Sequence, residues 1–403
     1  DEQTRQLQEH FLKSESQPYQ DLAKEIEQLN GKLADLRKPL TSVMVMQDLP
    51  KPRQTYVLSR GQYDAPDKER PVEPGVPEFL SPLPEDAPAN RLGLARWIID
   101  PENPLTARVA VNRIWKTFFG SGLVETAEDF GAQGQWPSHP ELLDWLATDF
   151  VEHGWDRKRL IKQIMMSETY CQSSKIDAER FEKDPENLLL ARGPRFRLSG
   201  EFVRDQALFV SGLLNGKIGG PGVKPYQPPG LWNEVSLNGN LRFRQDHGED
   251  LYRRSLYTYW KRSAPPPSMT IFDAPTREKC TIRRGTTNTP LQALVLLNDD
   301  QFVEAARAFA QRILKEGGDS FEAKVEFAFR SCTGHKPEAR IIAVLKSTLE
   351  TERTAFAHNP EQATALLSIG ESQRDEQLDP AKHAAWTIVA SMILNFDQTM
   401  TRE

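Results

Sequence analysis

Large apolar residues recur every three or four positions near the start of the chain. They are Leu22, Ile26, Leu29, Leu33, Leu36 and Leu40. This alternation of four and three is the a and d spacing of a coiled coil. We expect a helical arm over residues 1–42, ended by Pro39. Two arrangements fit it: a helical hairpin with residues 3–14, or a zipper that joins two chains.

The pattern changes after this arm. The runs VMVMQ and TYVLSR between Val43 and Arg60 are prone to β structure and predict a short exposed extended pair. Residues 64–90 are rich in proline and poor in large apolar residues, which predicts a strap without regular structure. Together these runs define a segment over 43–90.

Four amphipathic stretches with helix start and stop signals follow over 91–216. Asn103 and Pro104 open the first stretch, and Gly120 closes it. Ser138 and Glu141 have the spacing of a capping box that starts the second. The third begins after Asp156, and the fourth runs over 199–216. These signals predict one helical half.

Helical periodicity is lost over 217–290 and returns over 291–403, the second helical half. The stretches expected to be helical there are 300–316, 320–331, 336–357, 360–369 and 380–395. We predict a mainly α protein with an N-terminal helical hairpin, a proline-rich strap and a large helical domain with a few short strands. The irregular segment 217–290 is expected to act as a clasp between the two halves.

Composition excludes some classes of protein. The chain has 403 residues, and its 51 basic and 57 acidic side chains give a net charge of −6. This near balance argues against nucleic-acid binding, which needs a basic excess. No run of eighteen apolar residues occurs, so no membrane span is expected, and the polar first residues DEQTRQLQEH are not a signal peptide.

Recognised catalytic and metal-binding motifs are missing. The chain has no H-E-x-x-H, no G-x-S-x-G, no phosphate-binding loop of the form G-x-x-x-x-G-K-[ST] and no C-x-x-C-H. We therefore expect no metal site and no cofactor in this chain.

Two carboxylates, Asp273 and Glu278, lie close together in the sequence FDAPTRE. Such a pair can provide general acid and base catalysis, as in glycoside hydrolysis. The alternative is that both carboxylates pair with neighbouring arginines and fix a loop.

A single cysteine, Cys280, lies within a basic run. The neighbouring cations are Arg277, Lys279, Arg283 and Arg284. Nearby positive charge lowers a thiol pKa and favours the reactive thiolate. The alternative is an inert, buried thiol. With Cys171 and Cys332 the chain has three cysteines. Two alternatives fit this number: one disulfide with a free thiol, or three buried thiols.

Aromatic residues are concentrated between Tyr226 and Trp260, beside several cations. The aromatic members are Tyr226, Trp232, Tyr252, Tyr257, Tyr259 and Trp260, and the basic ones are Arg253, Arg254, Lys261 and Arg262. Flat rings with charged neighbours suit sugar rings or a protein partner. Alternatively, SLYTYWKR is a strand that packs Leu256, Thr258 and Trp260 into the core.

Several long runs resemble a known family. They are NPLTARVAVNRIWKTFFGSGLV, PSHPELLDWLATDF, GGPGVKPYQPPGLW, LYRRSLYTYWKR, APPPSMTIFDAPTREKC and TNTPLQALVLLND. These runs are similar to the planctomycete surface-protein C-terminal domain of unknown function, and the similarity extends over nearly all of the chain from Val43. The resemblance implies an exported, periplasmic or cell-surface protein.

The resemblance also implies a multidomain protein in which cytochrome c modules often precede this domain. Any haem c would then belong to an upstream module. Where the family usually has arginine, this chain has Cys171, which in an oxidising compartment would pair with Cys332 or Cys280. The resemblance supplies no catalytic residues.

Two functions follow as hypotheses. The first is a non-catalytic interaction or scaffold domain that docks a haem module, a glycan or a partner subunit. The second is an enzyme that acts on polysaccharide with the carboxylates of 273–278. The candidate binding residues are Trp232, Arg253, Tyr257, Tyr259, Trp260, Asp273, Arg277, Glu278, Cys280, Arg283 and Arg284.

Overall fold

A computed structural model describes residues 2–38, 40, 43–50, 53–236, 239–240 and 242–402. About 51% of the chain is helical, and the strands form two small two-stranded sheets in the described residues. The prediction of a mainly α protein is confirmed. The chain divides into two compact units, Asp1–Val72 with Ile218–Pro221 and Glu73–Lys217 with Gly222–Glu403. The five-segment division predicted from the sequence remains a prediction.

The first unit begins with the helices α1 (Glu2–Ser14) and α2 (Gln17–Arg37). The side chain of Gln20 donates to the carbonyls of Lys13 and Ser14, which have no partner within α1. The apolar residues of α2 from Leu22 to Leu36 are 43–72% exposed, so α1 does not cover them. The predicted stop at Pro39 lies outside the described residues.

A two-stranded antiparallel hairpin completes this unit. Strand β1 (Thr55–Leu58) pairs with β2 (Pro66–Val72), and not with the run VMVMQ, which has no strand. Residues 66–72 were predicted to be irregular, and that prediction is wrong. Pro66 is the first residue of β2, and Pro71 lies opposite Tyr56 beside a bulge. Both are positions where a missing N–H group is tolerated.

Residues 73–199 of the second unit contain five helices. They are α3 (Arg91–Ile98), α4 (Thr106–Phe119), α5 (Pro140–Glu152), α6 (Arg157–Met165) and α7 (Ala178–Lys183). Their core contains Val111, Trp115, Phe119, Leu143, Leu146, Phe150, Leu160 and Ile164. The start signals act largely as expected. Asn103 accepts hydrogen bonds from the amides of Leu105 and Thr106, and Asp156 caps α6.

The predicted capping box at Ser138 and Glu141 is wrong. His139 is the N-cap residue of α5, and the hydroxyl of Ser138 donates instead to the carbonyl of Leu123. The fourth predicted helix is also shorter than expected. It is α8 (Gly200–Ser211), and it ends at Gly212 in the left-handed conformation, with φ 79°. Gly212 is thus the C-terminal stop in place of Gly216.

The rest of the second unit contains nine helices in the described residues. They are α9 (Leu231–Glu234), α10 (Pro267–Ile271), α11 (Pro290–Asn298), α12 (Asp300–Glu316), α13 (Phe321–Thr333), α14 (Ala339–His358), α15 (Pro360–Leu367), α16 (Pro380–Leu394) and α17 (Asp397–Met400). Helix α12 packs against α8 and α16, and α16 against α14.

Small residues at the centre of this half set the packing of α12 against α16. Ala305, Ala306 and Ala310 on α12 are fully buried, and so are Ala385 and Ala390 on α16. Alanine faces let two helix axes approach closely. Larger side chains, among them Phe309, Ile313, Val389 and Ile393, fill the space on either side.

The end of the described chain connects the two helical halves of this unit. Strand β3 (Phe196–Arg197) pairs with β4 (Thr401–Arg402). Arg402 donates to the carbonyl of Phe118 on α4, and its guanidinium lies 4.7 Å from the centre of the Tyr170 ring.

Residues 218–221 of the predicted clasp belong to the first unit. The name clasp is therefore kept below for residues 222–290, which contain short helices and turns. The strand predicted for SLYTYWKR is absent. Ser255–Tyr257 forms a 3-10 turn, which leaves Leu256 67% exposed and buries Thr258 to 6% exposure. Contacts with α8, described below, override the local alternation. In the described residues no helix is long and apolar enough to cross a membrane.

Replacement of Phe309 by alanine tests the core assignment. Phe309 is fully buried in α12, so Phe309→Ala is expected to lower the free energy of unfolding by about 3–5 kcal/mol. The matched control is Phe209→Ala on α8, where the side chain is 69% exposed and the expected loss is about 0.5 kcal/mol. Urea unfolding followed by circular dichroism measures both. Equal losses would contradict the assignment.

Candidate functional site

A buried arginine on α8 holds the clasp in place. Arg204 is 2% exposed, and its Nη2 and Nη1 donate to the carbonyls of Leu251 and Arg253 at 2.7 and 2.8 Å. Its Nε donates to the side chain of Gln301 on α12 at 2.7 Å. Burial lowers the pKa of Arg204 to about 10, so the guanidinium remains charged at neutral pH.

The next residue on α8 holds the same turn. Asp205 accepts a hydrogen bond from the amide of Ser255 at 2.7 Å and lies 3.8 Å from Arg254. The Arg253 guanidinium stacks on the Tyr257 ring at 3.9 Å and donates to the carbonyl of Lys217. Arg253 and Tyr257, both predicted binding residues, therefore pack within the protein, and Arg253 is 2% exposed.

A buried carboxylate on α12 forms a second anchor. Glu304 is 1% exposed and accepts hydrogen bonds from the Tyr252 hydroxyl at 2.8 Å and from the Ser372 amide at 2.6 Å. Arg307 lies 3.5 Å from the same oxygen. Burial, reinforced by Glu304, raises the pKa of Tyr252 and of Tyr226. Both phenols therefore remain protonated at neutral pH and take part in structural hydrogen bonds. They are poor general bases.

The loop after α15 fits closely over this carboxylate. Gly370 has φ +87°, and a Cβ atom there would lie 2.2 Å from the Glu304 carboxyl carbon, so only glycine fits. The next residue, Glu371, binds the clasp through His247 at 2.6 Å and through the amide of Gly248 at 3.2 Å. The clasp is thus fixed both by α12 and by this loop.

Beneath the loop, His383 of α16 is fully buried. Its Nε2 lies 3.0 Å from the carbonyl of Arg307 and can donate to it. Burial lowers the pKa of His383, and the cations Arg307 and Arg374 act in the same direction. His383 is therefore neutral in the folded protein at neutral pH.

The clasp brings three aromatic rings and two cations together, with Tyr259 the most exposed of the rings. This aromatic–basic face consists of Lys224, Trp232, Phe243, Tyr259 and Lys261. The Trp232 ring lies 5.4 Å from Phe243 and 5.8 Å from Tyr259. Lys224 lies 5.4 Å above the Tyr259 ring, and Lys261 lies 5.6 Å from Trp232. Tyr259 is 47% exposed and Trp232 is 9% exposed.

Backbone pairing assembles this face. The amide of Val223 donates to the carbonyl of Tyr257, and the amide of Tyr259 donates to the carbonyl of Val223, at 2.8 and 2.7 Å. The two segments therefore run side by side, which brings Lys224 against Tyr259. Of the predicted residues, Trp232 and Tyr259 meet here. Lys224, Phe243 and Lys261 were not among the predicted site residues.

Two further predicted binding residues, Trp260 and Arg277, contact each other elsewhere on the clasp. Arg277 stacks on Trp260 with 4.4 Å between the guanidinium and the ring centre. The indole N–H of Trp260 donates to the carbonyl of Thr276 at 3.0 Å. This contact fixes the loop around Arg277, which has a φ of +62°.

The remaining predicted residues are not brought together. Asp273 accepts from the amide and hydroxyl of Thr287, at 2.7 and 2.8 Å, so a threonine holds this carboxylate where an arginine was expected. Arg284 pairs with Glu201 at 2.8 Å. Arg283 lies 3.9 Å from Glu125, and Glu278 is exposed.

All three cysteines are free thiols. The pairing of Cys171 with Cys332 or Cys280 is therefore wrong for this structure. Three buried thiols are also wrong, because Cys171 and Cys280 are exposed. Burial raises the pKa of Cys332 to about 12, which makes it an unreactive thiol at neutral pH.

A cleft of about 350 Å³ opens between α8, the end of α13 and the C-terminal residues. It is lined by Leu198, Gln206, Phe209, Val210, Ser331, Cys332, Thr333, His335, Gln398, Thr399, Thr401 and Arg402. None of the predicted site residues lines it. Its wall comes from three segments that are far apart in the sequence. None of them contains a recognisable binding or catalytic motif, so the sequence alone does not predict the cleft.

Across the described ranges, no three or more histidine, cysteine, aspartate or glutamate side chains are grouped as metal ligands would be. The expectation of no metal and no cofactor stays a prediction.

These features define the chain as a mainly α protein with an irregular clasp that is anchored to two helices. A family model matches residues 90–349, well over half of the chain. The chain belongs to this family, PSD1, whose description reads "Protein of unknown function (DUF1553)". The matched region contains the whole clasp, Arg204 and Glu304. No curated protein and no solved structure shows significant similarity to the chain.

Substitution of the buried arginine tests the first anchor. The ammonium group of lysine cannot replace the planar set of guanidinium N–H donors that bind two carbonyls and Gln301. Arg204→Lys is therefore expected to lower the free energy of unfolding by about 3 kcal/mol. Arg254→Lys is the matched control, because the Arg254 side chain is 49% exposed and should change stability by less than about 0.5 kcal/mol. Urea unfolding compares the two variants. A loss at Arg204 as small as that at Arg254 would disprove the anchor.

The buried histidine predicts a pH dependence of stability. Because the pKa of His383 is lowered in the fold, only the unfolded state takes up its proton as pH falls below about 6.5. The contribution of His383 is complete above that pH and is lost as pH falls through the folded-state pKa. The slope is at most about 1.4 kcal/mol per pH unit.

The variant His383→Gln keeps an N–H group towards the carbonyl of Arg307 and does not titrate. It should flatten the fall in the free energy of unfolding between pH 7 and 5, whereas His335→Gln, at an exposed histidine, should leave it unchanged. An unaltered slope in His383→Gln would refute the assignment.

Proposed function

We propose that the chain is a non-catalytic interaction module that binds an acidic polysaccharide on the aromatic–basic face. The observation that carries this proposal is the half-exposed ring of Tyr259, which lies 5.4 Å from Lys224 and 5.8 Å from the Trp232 ring. Aromatic ring faces pack against the flat apolar faces of sugar rings. The two lysines supply charge-assisted hydrogen bonds to carboxylate or sulfate groups on such sugars.

The anchoring of the clasp supports the same function. Arg204 holds two backbone carbonyls of the clasp and Glu304 holds the Tyr252 side chain, so the rings need little ordering when a ligand binds. A preorganised surface loses less conformational entropy on binding than a flexible one.

The enzymatic alternative receives less support. Asp273 is engaged by Thr287, and neither Asp273 nor Glu278 belongs to the aromatic–basic face or lines the cleft. Tyr226, Tyr252 and Cys332 have raised pKa values, which disfavours their use as bases or nucleophiles.

We further infer an exported, periplasmic or cell-surface setting, within a planctomycete protein whose cytochrome c modules precede this domain. Support for this setting is the resemblance of the sequence runs quoted above. Such a module would hold the haem c and dock on this chain, while the polysaccharide occupies the aromatic–basic face.

Binding measurements with the purified chain test the proposal. Affinity electrophoresis in gels containing polygalacturonate is expected to retard the chain, and Tyr259→Ala should weaken binding by about fivefold, because one stacking ring is worth about 1 kcal/mol. Tyr63→Ala is the control, since Tyr63 is 90% exposed on the first unit. Equal retardation of the two variants would refute the assignment of the face.

The lysines and the chemistry are tested separately. Lys224→Met with Lys261→Met should reduce binding to polygalacturonate and its salt dependence and should leave binding to a neutral glucan unchanged. Release of reducing ends from the polymer would overturn the non-catalytic assignment. Retention of a purified cytochrome c domain, with no retardation by polysaccharide, would favour docking of the haem module.

A further inference from the structure

Helix α2 carries an uncovered apolar seam. Within the described residues, Leu22, Ile26, Leu29, Leu33 and Leu36 are 58, 59, 55, 43 and 72% exposed. The helix has 21 residues and buries none of them. Most of the stability of a helix in a protein comes from packing of its amphipathic face, so an uncovered face of this size is a candidate contact surface.

The seam has the geometry of a two-helix contact. Tyr19, Ile26 and Leu33 fall at a positions of the heptad, and Leu22, Leu29 and Leu36 fall at d positions. The side chains of facing seams with this spacing interlock, and six successive a and d layers on each helix are available for the contact.

The charged residues beside the seam distinguish the possible orientations. Glu25 and Lys32 occupy g positions, and Arg37 occupies an e position. In a parallel pair each g residue faces the next e residue of the partner, so Lys32 would meet Arg37, a like-charge contact. In an antiparallel pair g faces g, so Glu25 of each copy meets Lys32 of the other.

We propose that α2 binds a second copy of this chain as an antiparallel coiled coil. One register aligns all six apolar positions: Tyr19 faces Leu36, Leu22 faces Leu33 and Ile26 faces Leu29. The two-fold axis then passes between residues 27 and 28. In a two-fold contact the same surface of each copy must be complementary to that of the other. The antiparallel pair satisfies this, because Glu25 of each copy faces Lys32 of the other and two such charge pairs form.

Charge reversal tests the orientation by its sign. Sedimentation equilibrium of the full chain is expected to show a dimer, which Glu25→Lys or Lys32→Glu should each weaken by about tenfold, because two symmetric attractions become repulsions. The double variant Glu25→Lys/Lys32→Glu should restore the dissociation constant to within about threefold. Glu27→Lys, at a b position away from the seam, is the control.

Other outcomes of this experiment overturn the proposal. In a parallel pair Lys32→Glu would remove the contact with Arg37 and strengthen the dimer. A chain that is monomeric at about 100 μM would show that the seam serves another partner or α1. Circular dichroism of each variant checks that the helices remain folded.

Cross-linking tests the register independently. In a background with Cys171→Ser and Cys280→Ser, the single variants Ile26→Cys and Leu29→Cys should form no disulfide dimer alone. When mixed under oxidising conditions they should form a heterodimer with a 26–29 cross-linked peptide, identified by mass spectrometry. A parallel pair would reverse this result, since each variant would then cross-link to itself.

Discussion

The fold of the second unit depends on one buried cation. The clasp has few regular backbone pairs, and its carbonyls must find donors when they are buried. Arg204 supplies donors to two of them from a single planar fork. Because Gln301 of α12 fixes Nε of the same guanidinium, the position of the clasp follows from the packing of α8 against α12.

Glu304 holds the same stretch of the clasp from α12, because Tyr252 lies between the two residues that Arg204 binds. It joins Tyr252 of the clasp to Ser372 of the loop after α15, and Gly370 permits that loop to approach the carboxylate. A few residues beyond this anchored stretch, backbone pairing of Val223 with Tyr257 and Tyr259 brings Lys224 to the Tyr259 ring. The aromatic–basic face is thus a consequence of how the clasp is held.

The helices could be predicted because their signals are local. Apolar periodicity and caps such as Asp156 lie within one or two turns of the helix that they define. The anchors have no such signal, since Arg204 and Leu251 are 47 residues apart and Glu304 and Ser372 are 68 apart. The density of aromatic residues pointed to Trp232 and Tyr259, which meet in the aromatic–basic face. It gave equal weight to Arg253 and Tyr257, which stack on each other instead, with Arg253 buried.

The seam of α2 and the aromatic–basic face lie on different units, and together they suit a repeating ligand. The proposed dimer through α2 would carry two copies of the face, so the polysaccharide proposed as its ligand would be bound at two points by one assembly. The second contact is then intramolecular, and its effective concentration is set by the length and stiffness of the connection. A shallow face with one half-exposed ring is expected to bind weakly by itself. Pairing through α2 would raise the apparent affinity without requiring a deeper site.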